Sequence, residues 1–336
     1  MFNDKAVLIT GGTGTFGKKY TEYILKNFKV RKLIILSRDE FKQYEMSQVF
    51  SRQQYPIRYF LGDVRDKDRL LRAFDGVDYV IHAAALKHVP AAEYNPFEAV
   101  KTNIIGAQNI VEAAIDKGVK KVIALSTDKA VSPINLYGAT KLSMEKIFVA
   151  ASSYAGWKDT IFTVVRYGNV IGSRGSVVPL FLCLKKKGAK ELPITDERMT
   201  RFWITIEEAV EIVHHVLEHA HGGEVFIPKL PSMKIIDLAN AICEECKLKV
   251  VGIRVGEKLH ESLLSMDEAS TTVHVSLSGR DYFVILPDIH FESRATSKYK
   301  HNRIVPPGFT IRSDINDSWL TVQEMRDLFE KENFCV

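Results

Sequence analysis

Chemistry on a hydroxyl-bearing carbon is written most compactly into one stretch of the chain. Ser126-Thr127-Asp128-Lys129 closes an apolar run, Tyr137 follows ten residues after Thr127, and Lys141 stands four further on. A spacing of four puts Tyr137 and Lys141 on one helix face. A phenol titrates at about 10, and a neighbouring ammonium favours its anion, so the pair is expected to act as a base near neutrality. A Tyr and a Lys at this spacing also occur on ordinary surface helices. What singles out this pair is the Ser-Thr strand end before it and a nucleotide-type loop at the front of the chain.

That loop reads Gly11-Gly-Thr-Gly-Thr-Phe-Gly17. Its small residues let the backbone approach a pyrophosphate, and the helix that follows offers free N–H groups and a positive dipole end. Gly11, Thr13, Gly14, Thr15, Phe16 and Gly17 are therefore expected to hold a dinucleotide. The motif has force only between a strand and a helix, and both are legible here. About twenty residues beyond the last glycine, an acidic residue would bind the ribose 2′-hydroxyl of NAD. This chain has Ser37 and Arg38 there, with Asp39 next and Lys42 nearby. A guanidinium fork suits a 2′-phosphate, so the expected cofactor is NADP. The plainer alternative is a solvated basic loop. Asp63 and Val64, just past the third strand, are expected at the adenine edge.

The elements that must position these residues alternate. Strands are expected at 6–10, 32–36, 57–61, 79–82, 121–125 and 160–166, with helices near 18–27, 67–74, 102–117 and 136–151. Such alternation implies parallel pairing with right-handed crossovers, an α/β fold with a Rossmann-like doubly wound parallel sheet. After Gly168 the loops lengthen and prolines punctuate them. Helices are expected near 206–219 and 235–246. A division follows at residue 168: a dinucleotide-binding part over 1–168, with later segments interleaving, and a smaller substrate-binding lobe and tail over 169–336. Residues 268–336 lack a strong period.

Composition narrows the class. The 336 residues hold 46 Lys+Arg and 41 Asp+Glu, a net charge of +5, with 46% hydrophobic and 26% charged residues. That is an ordinary globular balance. The basic excess is spread over the chain, which speaks against a nucleic-acid partner but suits an anionic small molecule. The longest apolar run, Val177 to Leu184, is interrupted by Pro179 and is far short of the roughly 20 residues of a bilayer span. No signal peptide is legible, so a soluble, cytoplasmic protein is expected. The four cysteines, Cys183, Cys243, Cys246 and Cys335, do not make a disulfide scaffold. Cys243 and Cys246 are expected one turn apart on a helix face. His215 and His219, flanked by His214 and His221, have a metal-compatible spacing but no accompanying carboxylate motif, so no metal is expected. Lys185 to Lys187 reads as a solvated helix end.

The glycine loop, Ser126-Thr127 and the Tyr-Gly-Ala-Thr-Lys segment resemble the extended short-chain dehydrogenase/reductase superfamily. Within it, residues 37–43 (Ser-Arg-Asp-Glu-Phe-Lys-Gln), 83–90 (Ala-Ala-Ala-Leu-Lys-His-Val-Pro), 126–130 (Ser-Thr-Asp-Lys-Ala), 133–141 and 166–179 are similar to the configuration-inverting UDP-N-acetylglucosamine 4,6-dehydratases that open pseudaminic acid biosynthesis. Residues 199–203 (Met-Thr-Arg-Phe-Trp) and 256–261 (Gly-Glu-Lys-Leu-His-Glu) extend the likeness, which covers roughly residues 1 to 265.

The resemblance implies a reaction and a part for each residue. Tyr137 would take the C4 hydroxyl proton, with Lys141 tuning it and holding the nicotinamide ribose. Thr127 would bond the C4 oxygen, Asp128 would protonate the departing C6 hydroxyl, and Lys129 would remove the C5 proton. The resemblance puts Ala83 and Lys87 beside the cofactor. Lys87, Thr127, Asn169, Arg201, Arg254 and Glu257 would hold the sugar, the diphosphate and the uridine. Dehydratases that retain configuration are expected to carry Asp-Glu where this chain has Asp128-Lys129. A lysine is a base only when neutral, so the value for Lys129 is expected to fall from about 10.4 through desolvation and nearby positive charge. Otherwise Lys129 is a salt-bridge partner of Asp128. Two other readings share Tyr137 and Lys141: a C4 or C5 epimerase of UDP-sugars, and a nucleotide sensor without catalysis. The resemblance further implies a homo-oligomer, dimer or hexamer, and a product used for flagellin glycosylation or a surface polysaccharide.

Overall fold

The computed structural model describes residues 1–155, 158–287, 294–332 and 334. Its strands are β1 (Ala6–Thr10), β2 (Lys32–Ser37), β3 (Ile57–Leu61), β4 (Tyr79–His82), β5 (Lys121–Thr127), β6 (Ile161–Tyr167), β7 (Asn169–Val170), β8 (Glu191–Ile194), β9 (Thr200–Ile204), β10 (Val225–Pro228), β11 (Ser232–Lys234), β12 (Lys247–Val250), β13 (Ser262–Leu264), β14 (Thr272–Leu277), β15 (Arg280–Ile285) and β16 (Ile311–Arg312). The helices are α1 (Thr15–Asn27), α2 (Glu40–Val49), α3 (Lys67–Ala73), α4 (Val89–Tyr94), α5 (Pro96–Val100), α6 (Gly106–Lys117), α7 (Leu136–Tyr154), α8 (Val177–Lys186), α9 (Ile206–His219), α10 (Ile235–Ile242), α11 (Arg294–Lys298) and α12 (Val322–Lys331).

Nine strands form the main sheet in the order β14-β15-β10-β6-β5-β4-β1-β2-β3. From β3 across to β10 every pairing is parallel; β15 and then β14 add on antiparallel. Strand β1 explains why the sheet must be covered twice. All five of its residues are buried, and alternate side chains enter different cores. Val7 and Ile9 pack with Tyr20 and Ile24 of α1 and with Val213 of α9. Leu8 packs with Leu70 of α3, Ile110 of α6 and Phe148 of α7. A continuous apolar strand buried on both faces is the signature of a parallel sheet between helix layers, and the architecture is the Rossmann-like α/β fold.

A second assembly sits at the carboxyl ends of the parallel strands. It contains the sheet β11-β9-β7 and the pair β8-β12, packed on α8, α10 and α12 through Phe181, Trp203, Leu238, Met325 and Phe329. The main sheet nevertheless takes β10, β14 and β15 from beyond residue 168.

Several elements depart from expectation. Helix α1 starts at Thr15, inside the glycine loop, rather than near Lys18. Helix α2 was not legible, because Phe41, Tyr44 and Val49 are exposed and give it no apolar stripe. Its start is set by Asp39, whose side chain accepts from the Lys42 N–H. Helix α10 ends at Ile242, and Cys243 is extended. Cys243 and Cys246 are joined as a disulfide at that helix end, not spaced along a helical face. Cys335 lies outside the described residues. The segment 268–336, where no period was legible, contains the β14–β15 hairpin and α12, which begins with a Thr321–Glu324 capping box. Among the described residues, no helix is long and apolar enough to cross a membrane.

Candidate active site

A cavity of about 1170 Å³ runs along the carboxyl ends of β1, β2, β4, β5 and β6 and under the second assembly. Ligand sites of open α/β sheets lie at this edge. Its lining includes every residue expected from the sequence at the cofactor, the substrate or the reaction except Asp128.

At one end is the glycine loop. Gly11 has φ +64°, and a Cβ there would come within 2.8 Å of the Ala84 backbone, so a side chain would be both strained and blocked. The first turn of α1 holds no acidic residue. Its N–H groups and dipole therefore face the cavity without a competing carboxylate. Beyond the loop, Thr13 Oγ1 meets Ser37 Oγ at 2.9 Å. Arg38 and Lys42 stand at the open rim: Arg38 Nη1 is 3.8 Å from Asp63 Oδ2, and Lys42 Nζ is 2.6 Å from Asp39 Oδ2. Asp63 and Val64 line the same end. This chain thus offers a phosphate cradle followed by a basic rim, which fits a nicotinamide dinucleotide.

At the other end, β5 runs out into a short turn over Asp128–Ala130, and α7 begins with Asn135 as its cap. Gly138 makes the two meet. A Cβ on it would lie only 2.1 Å from the Lys129 carbonyl oxygen, so the first turn of α7 rests directly on the turn that holds Lys129. Thr127, Lys129, Tyr137 and Lys141 are brought together on the cavity wall. Asp128 is fully buried behind them. Its Oδ1 accepts from Thr127 Oγ1 at 2.8 Å and from Lys129 Nζ at 3.0 Å, and its Oδ2 has no hydrogen-bond partner. Lys129 Nζ also donates to Asn169 Oδ1 at 3.3 Å and lies 3.4 Å from Glu261 Oε1.

The charges behave differently from the sequence-based expectation. Burial pushes Lys129 down, but the carboxylates of Asp128 and Glu261 outweigh it, and the ammonium is held above its ordinary value. Burial drives the Tyr137 phenol up to about 12, against the downward pull of the Lys129 ammonium. Lys141 is brought down to about 8 by burial. Its Nζ donates to the Leu125 carbonyl at 2.7 Å, so it is tied to β5. The cation that lowers Tyr137 here is Lys129, not Lys141, and Lys129 itself is charged. The reason is local: two carboxylates face one amine, and sequence spacing revealed only the nearer of them.

The residues expected at the sugar nucleotide line the same half of the cavity. Arg201 is nearly sealed; it donates to the carbonyls of Thr200, Leu259 and Lys258 and lies 3.5 Å from Glu257 Oε1. Arg254 is exposed at the rim, and its N–H reaches Glu257 Oε2 at 3.4 Å. Lys87 is pushed down by burial and by Lys129. Glu261, Lys258 and Gly138 were not singled out from the sequence. Glu261 and Lys258 lie in the same six-residue segment as Glu257, and Gly138 lies between Tyr137 and Lys141. The signal was present but unassigned. The histidines of α9 are engaged elsewhere, with His215 Nδ1 2.9 Å from Tyr282 Oη and His219 Nδ1 2.8 Å from the His215 carbonyl.

Comparison with known proteins agrees with this geometry. The family described as "Polysaccharide biosynthesis protein" matches residues 7–280. A UDP-N-acetylglucosamine 4,6-dehydratase (inverting) of Campylobacter jejuni is 54% identical over 334 residues, covering 98% of each chain. A UDP-glucose 4-epimerase of Rickettsia massiliae is 43% identical over 295 residues, 86% of this chain and 84% of that one. The crystal structure of Pen from Bacillus thuringiensis superposes with a TM-score of 0.89 at 37% identity over the whole of both chains. DesIV of Streptomyces venezuelae, a dTDP-glucose 4,6-dehydratase with NAD and TYD bound, shares the fold at TM-score 0.68 and 22% identity, over 76% of this chain and 86% of that one. The chain belongs to the polysaccharide biosynthesis protein family, among the extended short-chain dehydrogenase/reductases that include the inverting UDP-N-acetylglucosamine 4,6-dehydratases.

Proposed function

We propose that this protein is an NADP-dependent UDP-N-acetylglucosamine 4,6-dehydratase that inverts C5. The observation that carries the reading is the pairing of the buried Asp128 carboxyl with the Lys129 amine at 3.0 Å, directly beside Thr127 and Tyr137. A carboxyl and an amine give an acid and a base of different kinds, which elimination of water requires and simple C4 epimerisation does not. The named likeness to the Campylobacter dehydratase over nearly the whole chain supports it.

Residues 11–17 would hold the diphosphate of the cofactor, Ser37, Arg38 and Lys42 its 2′-phosphate, Asp63 and Val64 its adenine, and Ala83, Lys87 and Lys141 its nicotinamide end. A bound nicotinamide would supply the hydride chemistry needed at C4 and C6 of the sugar. Tyr137 takes the C4 hydroxyl proton as its phenolate, a form that the Lys129 ammonium favours against burial, and Thr127 Oγ1 bonds the C4 oxygen. The C4 ketone acidifies C5–H. Lys129 removes that proton as a neutral amine, and Asp128 supplies the proton with which the C6 hydroxyl leaves as water. Because Asp128 lies behind Thr127, its proton reaches the sugar by a turn of the carboxyl or through Thr127 Oγ1. A proton then returns to C5 on the opposite face. Asn169, Arg201, Arg254 and Glu257 hold the diphosphate and uridine. We assign residues 1–168 the cofactor role and the later residues the substrate role, in a cytoplasmic homo-oligomer, dimer or hexamer, whose product enters pseudaminic acid biosynthesis.

The test is incubation of the purified protein with UDP-N-acetylglucosamine and NADP, with the product read by mass and NMR. A product lighter by one water with inverted C5 supports the reading. The likeness to the Rickettsia epimerase favours a second one, C4 epimerisation, for which the product keeps the substrate mass.

A further inference from the structure

Among the described residues that line the cavity, one buried carboxylate has no part in the chemistry above. Glu261 stands immediately before β13, on the wall of the same cavity, and is only 2% exposed. Its backbone is pinned: its N–H donates to Ser313 Oγ at 3.0 Å, and its carbonyl accepts the Ser313 N–H at 2.9 Å. Ser313 Oγ is itself within 2.6 Å of Thr200 Oγ1, on β9. The Glu261 backbone is thus fixed through Ser313, just after β16, to Thr200 of β9, and its carboxylate faces Lys129 in the turn after β5. Oε1 is 3.4 Å from Lys129 Nζ. Oε2 is buried, lies 3.9 Å from Lys258 Nζ, and has no hydrogen-bond partner. A buried anion with one oxygen unsatisfied is costly.

We propose that Glu261 stores the proton that Lys129 must lose before it can act as a base, receiving it across the 3.4 Å gap between Nζ and Oε1. The proposal rests on the dehydratase reading. An N–H bond of the ammonium breaks, its electron pair stays on nitrogen, and an O–H bond forms on Glu261. The freed pair then takes the C5 proton, while the C5–H electrons move toward C4. Lys129 is again an ammonium, and the pair holds one extra proton. Loss of the extra proton to solvent restores the Glu261 carboxylate, and solvent supplies the proton that returns to C5 on the opposite face, so the proton count is unchanged. No oxidant or reductant is consumed in the transfer.

In the resting site the two carboxylates keep Lys129 an ammonium, while other charges around it act in the opposite direction. Arg201 directs positive charge at the Lys129 amine and opposes its ammonium form, and burial together with the Lys129 ammonium in turn pushes Lys258 and Lys87 down. Among the described residues, Asp128 and Glu261 are the carboxylates that act against Arg201. When Asp128 is protonated for its acid role, Glu261 is the remaining counterion within 4 Å of Nζ. Transfer between two buried opposite charges leaves two neutral groups, which a dry site tolerates better than a separated ion pair. Glu261 acts through Lys129 and does not touch the sugar in this account, so it is a positioning residue.

The experiment compares wild type, Glu261→Gln and Glu261→Asp, each loaded with NADP. It reads kcat for UDP-N-acetylglucosamine and deuterium incorporation at C5 in D2O, from about pH 6 to about pH 9. The wild type is expected to show a flat profile around neutrality. Glu261→Gln should lose about 10²-fold in kcat at pH 7, with a residual rate that rises about tenfold per pH unit, because solvent must now remove the lysine proton. Glu261→Asp keeps the acid but lengthens the gap, and should lose less while keeping the flat profile. Unchanged NADP affinity confirms that the variants are folded. If Glu261 merely anchored the ammonium by charge, its removal would ease loss of the proton, and kcat at pH 7 would hold or rise; that outcome overturns the proposal. So does a loss in Glu261→Gln that keeps the wild-type profile, or a rising profile in Glu261→Asp should the Gln variant not fold. A wild type that releases no dehydrated product sinks the dehydratase reading and this proposal together, whereas wild-type turnover with an unaffected Glu261→Gln sinks this proposal alone.

Discussion

The two ends of the cavity use charge in opposite ways. At the nucleotide end, Arg38 and Lys42 are roughly half exposed and are paired with Asp63 and Asp39 at the surface. Water screens such charges, and each can be exchanged with modest effect. At the reacting end, the buried carboxylates of Asp128 and Glu261 flank the part-buried Lys129 amine and hold it in its charged form. Selection of a ligand needs only a favourable rim. Proton transfer needs groups whose charge can change, and burial makes that change matter energetically.

The comparison can be broken by substitution, the largest effects falling at the reacting end. Lys129→Ala should abolish water loss, by a factor of about 10³ or more in kcat, while NADP affinity measured by fluorescence stays within about twofold. A variant that still dehydrates removes Lys129 from the base role. Gly138→Ala comes next. Its Cβ would lie 2.1 Å from the Lys129 carbonyl oxygen, so α7 must move away from the turn that holds the base. A loss of about 1–3 kcal/mol in unfolding free energy is expected, together with a drop in kcat. A neutral outcome in denaturant melts would mean that the contact is looser than described.

The third prediction concerns pH. Lys141 has its value lowered to about 8 by burial, so above that pH the unfolded chain binds more protons than the folded one. Stability from this group therefore rises with pH, from about 8 toward the unfolded value of about 10.4, by about 2 kcal/mol. Below about pH 8 both states are charged and the slope vanishes. Denaturant titrations of wild type and Lys141→Met at pH 8 and at pH 10 should differ by that increment. Parallel curves would contradict the burial argument. The smallest effect is expected at the rim, where Arg38→Ala should weaken NADP about tenfold while leaving NAD binding nearly unchanged. Equal loss for both cofactors would show that the guanidinium does not read the 2′-phosphate.

Much of this molecule was legible from pattern alone, where pattern and burial coincide. The parallel strands announced themselves because each is a short apolar run between helices, as Ala6–Thr10 and Lys121–Thr127 illustrate. The glycine loop and the Tyr137–Lys141 spacing were legible because both are local. Helix α2 was not, since its exposed Phe41 and Tyr44 obscure any stripe. The hairpin β14–β15 was missed because half of its positions face solvent at the sheet edge and no motif marks it. The charge state of Lys129 was misread for a different reason. It depends on Glu261, more than a hundred residues away, and only folding brings that carboxylate to 3.4 Å. Spacing along the chain reports neighbours on one element, whereas ionisation reports neighbours in space.

A crystal structure with UDP-N-acetylglucosamine and NADP bound would test the central assignment most directly. The account predicts Lys129 Nζ about 3–3.5 Å from C5 of the hexose, on the side its proton leaves, with Tyr137 Oη at the C4 oxygen. A bound sugar whose C5 faces a carboxylate instead, with the amine turned away toward Asp128, would contradict it.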